Sequence, residues 1–229
     1  MKKAPLALLV TTLPFVALHL KADEFQSGVI NNYNQATISF GYSPNLLSGV
    51  SDTVYGVGAG VSFDLNNTVL GINAGYGYWD IKDYGSANIF NLGTSLGYVF
   101  RLNGNRLNIV PTLAFNAEIL DDGSGSYYYS YYNTVFYPEY YATMSLSPGV
   151  KVSYAVHNRI GLNASYFYDI NVYNDTPFNT PGFHSFTFGP TFAITEKVGW
   201  FIKANFSVPA SGGTSEMFDS YSTGFSFNW

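Results

Sequence analysis

Apolar residues alternate with small or polar residues along almost the whole chain, and this period of two constrains the fold more than any other feature. In residues 55–65, "YGVGAGVSFDL", one set of alternate positions is wholly apolar and the other holds only Gly, Ser and Asp. Successive side chains of a β-strand point to opposite faces. The segment therefore predicts a strand with one apolar face and one small, polar face.

Nine further segments repeat the pattern, which predicts about ten strands. Together with the first example, the ten segments are 35–42, 55–65, 69–79, 88–100, 107–119, 142–156, 160–170, 184–194, 198–208 and 218–229. The connections alternate between tight turns and longer loops. The turns are 66–67, 102–105, 157–159 and 195–197, and the longer connections are 43–54, 80–87, 120–140, 171–183 and 209–217. Pro111 and Pro148 lie within strands, where we expect each to mark a bulge.

These lengths are typical of a barrel that crosses a bilayer. A tilted strand needs about 9–11 residues to span the membrane, and such barrels have short turns at one end and long loops at the other. The expected fold is all-β: a transmembrane antiparallel up-and-down β-barrel of about ten strands, with eight as the alternative. Short turns would face the periplasm and longer loops the exterior.

The composition of the two faces decides which one points outward. A water-soluble barrel packs its apolar face inward. Here the apolar face is rich in large side chains, whereas the opposite face is lined with glycine, so we expect the apolar face to contact lipid. Aromatic residues near the strand ends, among them Tyr42, Tyr55, Trp79, Trp200 and Trp229, are expected to form interfacial girdles.

The first residues predict an export signal. Lys2 and Lys3 precede an apolar stretch at 6–20, so residues 1–22 are expected to be a cleaved signal peptide, with an uncleaved anchor helix as the alternative. Residues 23–33 would then form an N-terminal periplasmic segment and 34–229 the barrel. The mature chain would keep 7 basic and 15 acidic residues. That balance argues against nucleic acid as a partner, and the lack of cysteine excludes disulfides and thiol catalysis.

A tyrosine-rich stretch occupies the longest external connection. Residues 126–141, "SYYYSYYNTVFYPEYY", hold eight tyrosines. Tyrosine provides rigid, amphipathic contact area at low entropic cost, so the loop predicts a contact surface for a glycan or protein. That surface would consist of Tyr127, Tyr128, Tyr129, Tyr131, Tyr132 and Tyr137. The alternative is that two strands extend beyond the membrane and the tyrosines pair across their hairpin.

Five charged residues are expected to face the barrel interior: Asp64, Glu118, Lys151, Asp169 and Lys203. They would either pair with one another and plug the lumen or line a narrow channel. Ten strands lie between packed eight-stranded barrels and open porins. Inward glycines enlarge the lumen, and the inward Phe167 and Phe201 reduce it, so the sequence leaves both alternatives open.

Catalysis in such a barrel would need a histidine beside a carboxylate or hydroxyl. His157 lies in a predicted periplasmic turn, whereas His184 lies at an outer strand end, where Asp169, Asp219 and Ser220 are also expected. A lone histidine at the rim is more often polar surface, so we expect no enzyme, no cofactor and no metal site.

The last residues, "STGFSFNW", resemble the assembly signal that ends bacterial outer-membrane β-barrel proteins. Ser222, Gly224, Phe227 and Trp229 match it, although the family usually ends in Phe. The resemblance implies export, insertion by the barrel-assembly machinery, and a place in the cell outer membrane among its lipid and lipopolysaccharide.

Three functions follow in order of expectation. The first is an envelope structural or surface-interaction role with the tyrosine-rich loop as contact surface. The second is a narrow passive pore for small solutes or ions. The third, more distant, is a barrel-rim hydrolase or lipid-modifying enzyme that uses His184.

Overall fold

A computed structural model describes residues 33–44, 52–81, 85–121, 127–130, 133–136, 140–174, 182–210 and 218–229. The predicted signal peptide at 1–22 lies outside these residues, as does the predicted N-terminal segment up to residue 32. No helix within the described ranges is both long and apolar enough to cross a membrane.

The described residues form thirteen strands. These are β1 (Gln35–Pro44), β2 (Asp52–Leu65), β3 (Thr68–Ile81), β4 (Gly85–Tyr98), β5 (Phe100–Leu102), β6 (Leu107–Asp121), β7 (Tyr127–Ser130), β8 (Asn133–Phe136), β9 (Tyr140–His157), β10 (Ile160–Asn174), β11 (Phe183–Ala193), β12 (Val198–Pro209) and β13 (Phe218–Asn228). Strands β4 and β5 are two parts of one barrel strand, since both pair with β6. Strands β7 and β8 form a separate two-stranded sheet.

The remaining strands form a closed barrel. Each pairs in antiparallel fashion with its neighbour along the chain, and β13 pairs with β1 to close the circle. Counting β4 and β5 once, the barrel has ten strands. The predicted ten-stranded, up-and-down antiparallel barrel is confirmed.

The apolar face points outward, as predicted. Phe186 and Phe188 are 43% and 54% exposed, whereas Gly93 and Gly97 on the opposite face are buried. In water, such a belt of exposed large side chains would be unfavourable at about 25 cal/mol for each Å² of apolar surface. In a bilayer this belt faces hydrocarbon, so the surface fits lipid as its solvent.

Aromatic pairs occur at both ends of the barrel. Tyr42 and Tyr55 pair at the outer end with ring centroids 5.6 Å apart, and Phe63 and Trp229 pair at the other end at 5.9 Å. The inclusion of Trp79 in the girdle was wrong. Its position in β3 shares the parity of the inward glycines, so it belongs to the lumen face.

The tight turns have the backbone that their residues favour. Asn66 and Asn67 have φ values of 54° and 73° and join the paired residues Leu65 and Thr68. This left-handed conformation suits two-residue hairpins, and asparagine tolerates it better than most residues. The other three predicted turns also lie between consecutive strands, which confirms the short-turn end of the barrel.

The strands extend further at the opposite end than the alternation predicted. Strand β3 continues to Ile81, which pairs with Gly85, so β3 and β4 are joined by residues 82–84 alone. The prediction of a long connection at 80–87 was therefore wrong. The backbone pairing continues beyond the segment in which apolar and polar residues alternate. Hydrogen bonds between strands need only backbone groups, so they do not require an apolar face.

The predicted bulge at Pro111 was also wrong. The β4–β6 ladder ends at the pair Gly97 and Thr112, and β5 resumes at Phe100 and Ile109 in the same register. Proline lacks the N–H that the ladder requires, but its presence inserts no extra residue. Two residue pairs are therefore missing from the ladder, and this interruption divides the fourth barrel strand into β4 and β5.

Pro148 has the same effect on the pairing of β9 with β10. The ladder is interrupted there, yet its register is identical on both sides. Two shifts that the sequence did not predict lie elsewhere in this ladder, one at Val172 between Asn171 and Tyr173 and one between Ile160 and Gly161 beside the tight turn. Register shifts of this kind are common near barrel rims.

Candidate functional site: the barrel lumen

The barrel encloses a polar cavity of about 680 Å³. Small and polar side chains form most of its wall, among them Thr37, Ser62, Asn73, Ser95, Thr112 and Asn163. These residues occupy the polar positions of the alternating pattern. When the sheet closes into a barrel, these positions face the interior. The lumen is thus a space lined mainly by small and polar groups, built from the same strands that present their apolar face outward.

The residues before β1 are attached to the wall of the periplasmic mouth. The Ser62 hydroxyl donates to the Tyr33 carbonyl oxygen at 2.6 Å, and the Asp64 N–H donates to Asn34 Oδ1 at 2.8 Å. Both bonds join this segment to β2. The Trp229 N–H donates to the Asn34 carbonyl oxygen at 3.4 Å, so both ends of the barrel domain meet here.

The Tyr33 side chain extends from this attachment to the opposite wall. It lies beside Asn108 on β6 and Ser153 on β9, without hydrogen-bond geometry to either. Strand β9 is five strands from β1 in both directions around the barrel. The phenol therefore crosses the periplasmic mouth and narrows it. Burial raises the pKa of Tyr33 above its usual value.

An ion pair supports the same end of the lumen. Arg101 on β5 donates to Asp64, whose other carboxylate oxygen accepts the Asn67 N–H at 3.0 Å. Arg101 directly precedes the predicted turn at 102–105, and its part in the lumen was not predicted. Its inward direction could have been predicted from the alternation. Arg101 is two positions after Val99 and four positions after Gly97, and both of those residues face inward.

The middle of the lumen carries two lysines. Lys203 places Nζ 4.5 Å from the centre of the Phe201 ring, and Lys151 places Nζ 5.8 Å from that of Phe167. All four residues line the cavity. Within the described residues, neither ammonium group has a carboxylate at ion-pair distance, since the ion pair there joins Arg101 and Asp64.

The two phenylalanine rings lie against glycines of neighbouring strands. A Cβ at Gly224 would lie 2.7 Å from Phe201 Cζ, and one at Gly149 would overlap the Phe167 ring. Only glycine leaves enough space for these inward rings. Glycine at these two positions therefore leaves the space that the Phe167 and Phe201 rings occupy at the wall.

The remaining lumen charges lie toward the outer end. Asp169 accepts a hydrogen bond from Ser185, and Glu118 occupies the lumen-face parity of β6. The five predicted lumen charges thus do not pair with one another in the described structure. Of the two alternatives left by the sequence, a plug of mutually paired charges is the one that the geometry disfavours.

His184 faces away from the lumen. It shares the parity of the exposed Phe186 and Phe188, and its Nδ1 lies 2.9 Å from the Tyr166 hydroxyl. Asp169 is on the opposite face of the sheet, since its neighbour Tyr168 is the register partner of His184. The expected meeting of His184 with Asp169 was therefore wrong.

The other two expected partners of His184 are also placed elsewhere. Ser220 accepts a hydrogen bond from the Asn205 amide at 3.1 Å, and Asp219 is the register partner of Phe206. Within the described residues, no group of three or more His, Cys, Asp and Glu side chains is placed to hold a metal ion.

The predicted surface contact residues lie partly outside the described residues, as Tyr131, Tyr132 and Tyr137 do. Tyr127, Tyr128 and Tyr129 lie in β7, whose backbone pairs with β8 to form a hairpin. The hairpin is a sheet of its own rather than an extension of the barrel ladder. The contact role of these tyrosines remains a prediction.

The residues that match the assembly signal all belong to the closing strand or follow it directly. Within β13, Ser222, Gly224 and Phe227 pair with β1 on one side, and β12 pairs on the other. Trp229 follows the strand and contacts Phe63. Their role in assembly remains a prediction.

Comparison with known proteins yields a fold and no family. No family model and no curated protein matches the chain. Among solved structures, the beta domain of the Bordetella autotransporter BrkA is similar at a TM-score of 0.56 and 12% identity, with 86% of this chain and 99% of that chain covered. The chain has an outer-membrane β-barrel fold.

Two other solved barrels are similar at lower scores. A NanC porin has a TM-score of 0.43 at 10% identity and covers 85% of this chain and 100% of its own. The outer membrane protease OmpT from Escherichia coli has 0.42 at 9% identity and covers 86% and 94%. Fold does not determine function, so the function must be argued from the residues of the lumen and the loops.

Proposed function

We propose that this barrel is a non-enzymatic, narrow passive pore for small solutes in the outer membrane of a Gram-negative-type bacterium. The observation that supports this most is the polar cavity of about 680 Å³ along the barrel interior. In barrels of about eight strands the interior is just wide enough for side chains to fill it, and ten strands enclose more space. Here glycine, serine, threonine and asparagine leave the space open to water.

The periplasmic mouth adds a constraint on this pore. Tyr33 crosses the mouth, and the Asp64–Arg101 ion pair lies beside it. A solute that traverses the barrel must displace the Tyr33 side chain. We therefore expect brief, infrequent openings in the native protein rather than a large steady conductance.

Planar-bilayer recording of the purified, folded protein tests the proposal. The native barrel should give discrete conductance steps, and Tyr33→Ala should raise the fraction of time in the open state. Tyr42→Ala is the matched control, since Tyr42 lies on the lipid face at the outer end. A silent membrane for both the native and the Tyr33→Ala barrel, with insertion verified by protease protection, would overturn the pore.

A second candidate function is supported by the separate β7–β8 sheet. A paired hairpin that carries Tyr127, Tyr128 and Tyr129 presents an extended backbone for contact with a glycan or protein. Substitution of these three tyrosines by serine should abolish binding to a glycan array or to host cells while leaving conductance unchanged. Equal binding by the native and substituted proteins would remove this candidate.

Export and assembly complete the proposal. Residues 1–22 would be removed on export, the barrel-assembly machinery would insert the chain, and the folded protein would contact lipopolysaccharide through its outer surface. N-terminal sequencing of protein recovered from the outer-membrane fraction tests the first step. A mature chain that begins at residue 1 would contradict it.

A further inference from the structure

We infer that Lys151 and Lys203 form a binding site for small dianionic solutes in the lumen, and this inference rests on the proposed pore. Both lysines line one cavity, Lys151 from β9 and Lys203 from β12. The two strands are three positions apart around the barrel, so both side chains enter the same space. The wall of one cavity thus holds two like charges, each without a carboxylate partner among the described residues.

The aromatic rings hold these charges in position without neutralising them. Nζ of Lys203 lies over Phe201, and Nζ of Lys151 lies over Phe167. A cation–π contact is worth about 0.5–1 kcal/mol at exposed sites and leaves ammonium N–H groups available to a ligand. The rings themselves are fixed against glycine backbone. The two cations are therefore arranged before a ligand arrives.

The acidic residues of the lumen are too distant to serve as partners. Asp169 is four residues along β10 from Ser165, the register partner of Lys151, and it accepts a hydrogen bond from Ser185. That separation is about 13 Å at 3.3 Å per residue. It exceeds ion-pair distance, and neither lysine forms an ion pair with Asp169 in the described structure.

Two further acids of the lumen are also accounted for. Glu118 is eight residues along β6 from Val110, the other register partner of Lys151, which corresponds to about 26 Å. Asp64 is neutralised by Arg101. The middle of the lumen therefore carries a local positive charge, although the chain as a whole is acidic.

The charge of the ligand follows from the repulsion between the lysines. A monoanion relieves the repulsion only in part, whereas a solute with two negative charges compensates both ammonium groups. Interactions between charges in a partly enclosed site are several-fold stronger than in bulk water. The cavity volume limits the ligand to a small molecule, so short dicarboxylates and phosphate-bearing solutes share the required chemistry.

Calorimetric titration of the folded protein in detergent tests the site, with succinate as the probe. Succinamide is the matched control ligand, since it has the same carbon skeleton and no charge. Succinate should bind the native protein and succinamide should not. Lys151→Gln and Lys203→Gln should each weaken succinate binding about tenfold. Inorganic phosphate is titrated in parallel. The two affinities show whether the site prefers a dicarboxylate or a phosphate-bearing solute.

Two control variants separate the site from general effects of charge and folding. Lys197→Gln removes the same charge from an exposed turn and should leave binding unchanged. Lys203→Arg keeps the charge and should retain most of the affinity. Succinate binding that survives the Lys151→Gln/Lys203→Gln double substitution, or equal binding of succinamide, would overturn the site.

The titration needs no conductance, so the site and the pore fail separately. Lysine-dependent succinate binding by a barrel that is silent in bilayers would uphold the site and overturn the pore. A conducting barrel whose succinate binding and chloride-over-potassium preference do not change in the double variant would uphold the pore and overturn the site.

Discussion

Replacement of Gly224 by alanine tests how the barrel closes between β13 and β1. A Cβ at this position would overlap the Ile38 carbonyl oxygen of β1 and would lie 2.7 Å from Phe201 Cζ. The first contact is with backbone and cannot be relieved by a side-chain rotation. The β1–β13 ladder must therefore shift when the methyl group is added, and the Phe201 ring must move as well.

The expected cost follows from these two contacts. Overpacking of a filled site costs about 1–3 kcal/mol, and the backbone contact places Gly224→Ala in that range. Each kcal/mol lowers the unfolding midpoint by about 2–4 °C in a domain of this size. Gly41 is the matched control, since it pairs with Ser222 on the same face and a Cβ there would be 3.9 Å from the Tyr221 carbonyl oxygen. Gly41→Ala should be neutral or stabilising by up to about 1 kcal/mol.

Unfolding in lipid vesicles, followed by the loss of the compact band on unheated gels, measures both variants. Phe201→Ala in the Gly224→Ala background separates the two contacts. Removal of the ring should lower the cost of the added methyl group without abolishing it, because the Ile38 oxygen stays in place. Equal midpoints for Gly224→Ala and Gly41→Ala would refute the argument that close approach at this strand pair requires glycine.

Three further predictions concern the periplasmic end. Asp64→Ala removes both the partner of Arg101 and the acceptor for the Asn67 N–H, so it should destabilise the barrel more than Asp64→Asn, by about 0.5–1.5 kcal/mol in urea unfolding. Because burial raises the pKa of Tyr33, the stability it contributes is complete below pH 10 and is lost as the pH rises through the raised pKa. As the pH rises above 10, the unfolding midpoint should therefore fall less in Tyr33→Phe than in the native protein. An equal fall of the midpoint in both proteins would contradict this. Deletion of Trp229 should reduce assembly in cells far more than folding into vesicles from urea, and an equal loss in both would argue against an assembly signal.

The architecture could be predicted from the sequence because its cause is local. Alternation in each strand assigns every side chain to one of two faces, and asparagines at 66–67 permit the left-handed backbone of a tight hairpin. The apolar face had to point to lipid, since the glycine face has too few large side chains to fill a core. No contact between distant residues was needed for these conclusions.

Errors arose where one residue has two different neighbours around the barrel. Pro111 was expected to bulge, yet it interrupts pairing with β4 and β5 and keeps its pairing with β9. His184 and Asp169 were expected at one rim, and strand parity places them on opposite faces of the sheet. Local pattern shows that a residue is at a strand end and does not show which residues surround it.

The sequence by itself determined the strand number, the direction of the apolar face and most of the charges that enter the lumen, because these depend on period and spacing along the chain. Only the tertiary structure decided which groups meet: Asp64 reaches Arg101, Lys151 and Lys203 enter one cavity, and Tyr33 crosses to the wall that carries Asn108. Those contacts join strands far apart in the chain, and their geometry depends on the register of every strand pair between them.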